Sequence, residues 1–310
     1  MKAFKFLSKT AFVFSLVLLA SCSSDNDIEE TGNEAKSVAK KIEFKANIDL
    51  SDSNDSSEVT RATLENDYSV SWDEDDQIMV YCDNYDDKVV FGITPNSIKK
   101  STATFTNYDE ILPFWFAPDQ YYYATYPQTT SALFDTETFM LKSVLSTNQT
   151  VSAGRTYDKK ALSMIACADM DERVFNFKNV PALVKVALKN NGEGKVKFIE
   201  IVSKNSADIL SGNYEASVGY NAKKIAFKAL SGAEKKHTVR LQIPASDENK
   251  DFYIAVLPGK IHGFTLKFEG RENNKEFVLY SRVSSKLSEL KSSKIYNFGS
   301  YDVEDMLAVK

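Results

Sequence analysis

Few residues in this chain have the types and spacing that chemistry at a protein site requires. There are two histidines, His237 and His262, and neither stands near a Ser or Cys motif. No G-x-S-x-G elbow, H-E-x-x-H helix, phosphate-binding loop or dinucleotide fingerprint occurs. The run Asp73-Glu74-Asp75-Asp76 invites a calcium reading, because hard cations take carboxylate oxygens. It lacks the central Gly and closing Glu of an EF-hand loop, and a solvated connection between strands is the simpler reading. Forty-three acidic residues could supply a carboxylate pair for glycoside hydrolysis, but nothing singles one out. No catalytic residue, metal site or cofactor is expected, and the chain reads as a non-enzyme.

Two positions carry chemistry of another kind. Arg61 is the one basic residue among thirteen acidic ones between Ala46 and Asp87. It is either an ordinary solvated loop charge or a place to cut, with the scissile bond between Arg61 and Ala62. Cys22 is the other. Lys2, Lys5 and Lys9 precede an apolar run, Ala11–Ala20, which is too short to span a bilayer and ends in Leu19-Ala20-Ser21-Cys22. Residues 1–21 therefore read as a secretory signal peptide. Its end resembles the bacterial lipobox, which implies cleavage between Ser21 and Cys22 and acyl chains on the Cys22 thiol. Each buried methylene would add about 0.8 kcal/mol of membrane affinity. Asp25 and Asp27 just behind the cysteine resemble a surface-export signal of Gram-negative anaerobes.

Removing residues 1–21 takes away three lysines and leaves 35 basic and 43 acidic residues, a net charge near −8. The cations are scattered, so a nucleic-acid partner is not expected. Cys82 and Cys167 lie in apolar contexts. They read either as free buried thiols or as a disulfide, and free thiols suit the contexts better.

The elements that position these residues are strands. Residues 22–40 are polar and acidic and read as a flexible tether. Ile42, Phe44, Ala46, Ile48 and Leu50 then alternate with polar residues, the period of a strand with one buried face. Further strands are read at Ser69–Trp72, Gln77–Cys82, Val89–Ile93, Ala103–Thr106 and Tyr121–Tyr126. Beyond a mixed stretch at Ala161–Asp171 come Arg173–Phe177, Leu183–Asn190, Val196–Ser203, Ser211–Tyr220, Ile225–Ala229, His237–Ile243, Asp251–Val256, Phe264–Glu269, Phe277–Val283 and Ser293–Gly299. Strands at this spacing predict antiparallel sandwiches, one over residues 41–170 and one over 171–310. Short helices are predicted only at Asp109–Leu112 and near Ser288–Leu290. In the tail, Tyr301, Val303, Leu307 and Val309 share one side of a period-two reading that Asp305 interrupts, which predicts a last strand. The aromatics of Pro113-Phe114-Trp115-Phe116 and Tyr121-Tyr122-Tyr123 are either core or a platform for sugar rings.

Several stretches, in order, resemble the fimbrillin (Mfa-like, type V pilin) family of surface lipoproteins. They are the Cys22 lipobox, Thr60-Arg61-Ala62, Ser71-Trp72-Asp73-Glu74-Asp75-Asp76-Gln77-Ile78, Tyr123-Ala124-Thr125-Tyr126-Pro127, Phe175–Lys185, Phe252–Pro258 and Lys294–Gly299. Glu74-Asp75 departs from the family's usual Gly before Asp. The resemblance implies two tandem transthyretin-like β-sandwich domains and a location on the outer membrane, lipid-anchored at the cell surface, or in a fimbrium once processed. It also implies partners: an Arg-specific protease that cuts after Arg61, and other fimbrial subunits that join by strand addition. Ile42, Phe44, Ala46, Ile48 and Leu50 would form the strand removed. Tyr301, Val303, Leu307 and Val309 would form the strand donated, unless the tail folds back on its own domain. The alternative from another class is a monomeric surface lipoprotein that binds a host glycan or protein.

Overall fold

Alternation at Glu43–Ile48 turns Phe44 and Ala46 inward and leaves Glu43 and Lys45 exposed, and the segment is a strand. The same logic, applied along the chain, gives β1 (Glu43–Ile48), β2 (Gln77–Cys82), β3 (Lys88–Ile93), β4 (Thr102–Thr106), β5 (Tyr121–Tyr126), β6 (Leu133–Asp135), β7 (Met140–Leu145) and β8 (Asn148–Thr150). There follow β9 (Met164–Asp169), β10 (Val174–Asn179), β11 (Ala182–Lys189), β12 (Val196–Ser203), β13 (Gly212–Ser217), β14 (Ala226–Ala229) and β15 (Thr238–Gln242). The last are β16 (Lys250–Val256), β17 (Gly259–Ile261), β18 (Phe264–Glu272), β19 (Lys275–Ser284), β20 (Ser288–Leu290), β21 (Ile295–Asp302) and the helix α1 (Val303–Ala308). The computed structural model describes residues 42–48, 71–82, 88–107, 121–128, 133–135, 138–232, 235–245, 249–284 and 288–309. All of them belong to one compact unit, Lys40–Lys310.

The protein is all-β. Seven strands close a barrel in the order β1-β10-β9-β5-β2-β3-β4. Its interior holds Phe44, Trp72, Phe91, Phe105, Tyr122, Phe175 and Phe177. A three-stranded sheet, β16-β11-β21, packs against a five-stranded one, β19-β18-β12-β15-β8, around Val184, Val186, Ile199, Ile201, Leu241, Ile254 and Phe268. A third core joins the outer wall of the barrel to the sheet β14-β13-β7-β6, through Met79, Tyr81, Ile165, Leu141 and Tyr214. Strand β11 serves two cores: Val184 and Val186 face one and Leu183 the other, while Lys185, on the Leu183 face, pairs with Asp251. The ladders are antiparallel except at β1/β10, β8/β15 and β11/β21.

Several sequence expectations change. The mixed stretch at Ala161–Asp171 contains β9, whose residues Met164–Ala168 are all buried, so no alternation marks it. The division expected at residues 170/171 falls between β9 and β10, neighbours in the barrel, while β7 and β8 pair with β13 and β15 from beyond it. Ser71 and Trp72 are not in a strand, and residues 69 and 70 lie outside the described residues. Ser288–Leu290 is not a helix but β20, paired with β17 and held by the buried Leu290. The helix expected at Asp109–Leu112 lies outside the described residues. Cys82 and Cys167 are buried thiols that form no disulfide, the first inside the barrel and the second on its outer wall.

The tail is the largest correction: the strand read over Tyr301–Val309 ends at Asp302, and Val303–Ala308 is a helix. Asp302 caps it, its carboxylate accepting from the N–H groups of Glu304 and Asp305. Those two acids also suit the positive end of the helix, so the Asp305 that spoils a strand pattern favours a helix start. Val303, Met306 and Leu307, three and four apart, pack on the core of the two stacked sheets.

Candidate functional site

The site builds outward from Phe44. Its ring is wholly buried at the middle of β1. It meets Phe91 and Tyr122 edge-on, with centroids 4.9 and 5.0 Å away, and stacks on Phe175 at 5.0 Å. Ile42 and Ala46 fill the positions on either side, and Ile48 is partly buried against two cores. Leu50 lies outside the described residues.

Strand β1 sits between β4, which runs antiparallel to it, and β10, which runs parallel. Phe44 faces Phe105 on one side and Ala46 faces Phe175 on the other. Lys45 N–H donates to Arg173 O at 3.0 Å, and Asn47 Nδ2 donates to Asn176 Oδ1 at 3.1 Å. Removing β1 would turn both neighbours into edges and open a groove where Ile42, Phe44 and Ala46 had been. Since β4 and β10 run opposite ways, a strand entering in either direction meets one parallel and one antiparallel partner.

The floor beside this groove is closely packed. Buried Trp72 donates from Nε1 to Ser101 O at 3.2 Å and packs edge-on against Phe105, Tyr126 and Phe177. Beside it the carboxylates of Asp73, Asp75 and Asp76 converge. The protein's own cations hold them: Arg155 pairs with Asp73, and Lys159 lies 2.7 Å from both Asp75 and Asp76. Buried Asp76 also accepts from Tyr126 Oη at 2.9 Å and from Asp73 N–H at 2.7 Å. The hydrogen bond from Lys159 holds the Asp75 carboxyl below the usual carboxylate range. Burial, then the charge of Asp76, pushes the Tyr126 phenol far above its ordinary value. The acidic run thus ties the β2 hairpin to the Arg155–Lys159 loop.

Ser203, Asp208 and His262 also meet. Ser203 Oγ donates to Asp208 Oδ2 at 2.5 Å, and His262 Nδ1 lies 2.6 Å from Asp208 Oδ1. The carboxylate stands in the middle, so the imidazole does not take the serine proton. A nucleophilic triad needs the histidine between the other two. Among the aromatics, Tyr122 and Tyr123 are buried, and Tyr121 packs on Tyr220 at 5.3 Å. These tyrosines are core, not a sugar platform, and Phe114, Trp115 and Phe116 lie outside the described residues.

The tail residues stay on their own domain. Tyr301 packs on Phe268 at 5.0 Å and donates from Oη to Phe298 O at 2.8 Å. Val303 is wholly buried, Leu307 is partly buried, and Val309 is 89% exposed. Lys195 Nζ ties Glu304 at 2.6 Å and Glu272 at 3.0 Å, and Asn190 Nδ2 donates to Asp302 at 2.6 Å. Ser21, Cys22, Arg61 and Ala62 lie outside the described residues. Sequence reasoning missed Gln149. Its buried amide donates to Ala255 O at 2.7 Å and accepts from Ala255 N–H at 3.0 Å, so it closes the outer edge of β16.

The fold is similar to that of solved structures. A provisionally assigned cell adhesion protein from Bacteroides ovatus superposes with a TM-score of 0.50 at 18% identity, covering 86% of this chain and 93% of that one. A second such protein, from Bacteroides uniformis, superposes with a TM-score of 0.49 at 15% identity, covering 85% and 93%. No protein-family model matches the chain, and no curated protein matches it by sequence.

Proposed function

We propose that this protein is a cell-surface subunit of an adhesive or fimbrial assembly, built to give up β1 and accept a strand from another subunit. One observation carries the reading: β1 is the wall of a closed barrel and yet contributes the central core side chain, Phe44. A barrel that lost it would have two unpaired edges and an open core, so it would need a partner.

The remaining parts follow. Arg61 lies behind β1 in sequence and is the processing site of an Arg-specific protease, which cuts between Arg61 and Ala62. Cys22 carries the lipid that holds the precursor on the outer membrane until that cut. The tail is the donor, and a head-to-tail contact of this kind propagates into a fibre. Donation requires α1 to leave its own core, which breaks the Lys195–Glu304 pair and exposes Val303. As a strand, the tail offers two inward apolar residues on each side of Asp305: Tyr301 with Val303, and Leu307 with Val309.

The test compares native cells carrying the parent chain, Arg61→Ala, and a deletion of residues 300–310, on gels run without boiling. The parent should give an SDS-resistant ladder and both variants a single monomer band. Ladders from Arg61→Ala would reject the cleavage step, and ladders from the deletion would reject the tail as donor.

A further inference from the structure

The five-stranded sheet ends on β19, a strand of ten residues with no described strand beyond it. The outer edge of β16 is closed by comparison. There Tyr253 N–H donates to Thr156 O at 2.8 Å, Gln149 bonds Ala255, and Leu257 N–H donates to Leu210 O at 2.9 Å. Strand β19 also presents two of the four large apolar side chains exposed among the described residues, Val278 at 42% and Tyr280 at 68%. They are two positions apart and share the outward face.

The hairpin turn fixes which backbone groups point to the open edge. Asn273 and Asn274 are both left-handed, with φ of 48° and 63°, and Glu272 pairs with Lys275. In such a two-residue turn the closing pair exchanges both backbone bonds, and bonding alternates away from it. Residues 277, 279 and 281 therefore bond to β18, while 276, 278, 280 and 282 turn their N–H and C=O groups outward.

We propose that β19 is a self-pairing edge: two copies of this chain join antiparallel about a two-fold axis at Leu279, making one continuous sheet. The register follows from chemistry. Only even positions can bond to even positions across the new ladder. A centre at Leu279 sets Val278 against Tyr280, twice. A centre at 278 puts Glu276 opposite Tyr280, and a centre at 280 puts Val278 opposite position 282. Of these registers the one at Leu279 alone sets the exposed aromatic against the exposed β-branched residue on both sides of the axis. The contact is isologous and closes on itself, so it pairs subunits or lays two filaments side by side. It uses neither β1, Arg61 nor the tail, so its failure would leave strand exchange untouched.

The test is covalent trapping of the full chain on cells. At the two-fold axis the non-bonded pair stands about 4.5 Å apart at Cα, within disulfide reach. Leu279→Cys should give a dimer on a non-reducing gel. Adding Tyr280→Ser, which removes the apolar partner of Val278, should reduce it at least tenfold. Val278→Cys, which faces residue 280 of the second copy and not itself, should trap several-fold less. No dimer from Leu279→Cys, equal trapping by Val278→Cys, or trapping unchanged by Tyr280→Ser would overturn the proposal. Sedimentation of the otherwise native chain guards against a misfolded cysteine variant. The uncleaved Arg61→Ala chain, which does not exchange strands, should show a reversible dimer that the exposed-site change Tyr280→Ser weakens at least tenfold, and an uncleaved chain that stays monomeric at millimolar concentration would also overturn it.

Discussion

Replacing Phe44 with Ala probes the strand on which the proposed function rests. The ring is fully buried and touches three other aromatic rings within 5.0 Å. A buried Phe→Ala change costs about 3–5 kcal/mol, through lost transfer energy and the cavity left behind. Three ring pairs, each adding about 0.5–1.5 kcal/mol beyond area, place this site in the upper part of that range. In a chain of this size one kcal/mol moves Tm by about 2–4 °C, so a fall of roughly 6–20 °C is expected. Thermal unfolding followed by circular dichroism reads it, with urea titration as a second measure. Lys45→Ala is the internal control, because its exposed neighbour position should change stability by less than about 0.5 kcal/mol. The same loss should speed release of the residue 42–61 segment after proteolysis. If Phe44→Ala lies within about 1 kcal/mol of the parent while Lys45→Ala does the same, β1 is not a structural wall of the barrel and the reasoning fails.

Other expectations concern the parts around that strand. Asp76→Ala removes a buried acceptor from Tyr126 and Lys159, and should cost about 3 kcal/mol or more in urea unfolding. Added calcium should leave Tm unchanged, because Arg155 and Lys159 already hold the Asp73–Asp76 carboxylates; a rise would show that the ion displaces them. Truncation after Asp302 removes the buried Val303 and should lower stability by about 1.5–3 kcal/mol, read by urea midpoint. Acid should destabilise the fold in a defined window. The bond from Lys267, with burial opposing and Arg240 assisting, holds the Glu269 carboxyl below its ordinary range. Burial raises the Asp208 carboxyl, but hydrogen bonds from Ser203 and His262 outweigh it and bring that group low as well. Both folded values lie below the unfolded ones, near 3.9 for Asp and 4.3 for Glu. Their stabilisation is therefore present above about pH 4–5 and lost as pH falls through the folded values. Glu269→Gln should flatten part of that dependence, and an unchanged acid profile would contradict the assignment.

Much of the fold is written in its alternations, and what is not has physical reasons. Ile42, Phe44 and Ala46 turn inward as period two requires, because β1 has one face in the barrel and one in solvent. Its parallel partner β10 is remote in sequence, and no local pattern names it. Strand β9 is buried on both faces, so it shows no period at all. The stretches that carry the family resemblance are packing residues: Tyr122–Tyr126 on β5, Phe175 and Phe177 on β10, and Phe252, Ile254 and Val256 on β16. They speak for the fold more than for an activity. Asp73–Asp76 looks like a cation site until Arg155 and Lys159 arrive from a distant loop. Asp305 looks like a flaw in a strand until Asp302 caps a helix there.

The central claim is that β1 is removed by a cut after Arg61 and replaced by another subunit. The most direct measurement is the N-terminal residue of the mature protein from native cells, together with its size on an unboiled gel. A start at Ala62 with an SDS-resistant ladder is the expected result. A start at acylated Cys22 with a single monomer band would contradict strand exchange and leave β1 as a permanent wall of the barrel.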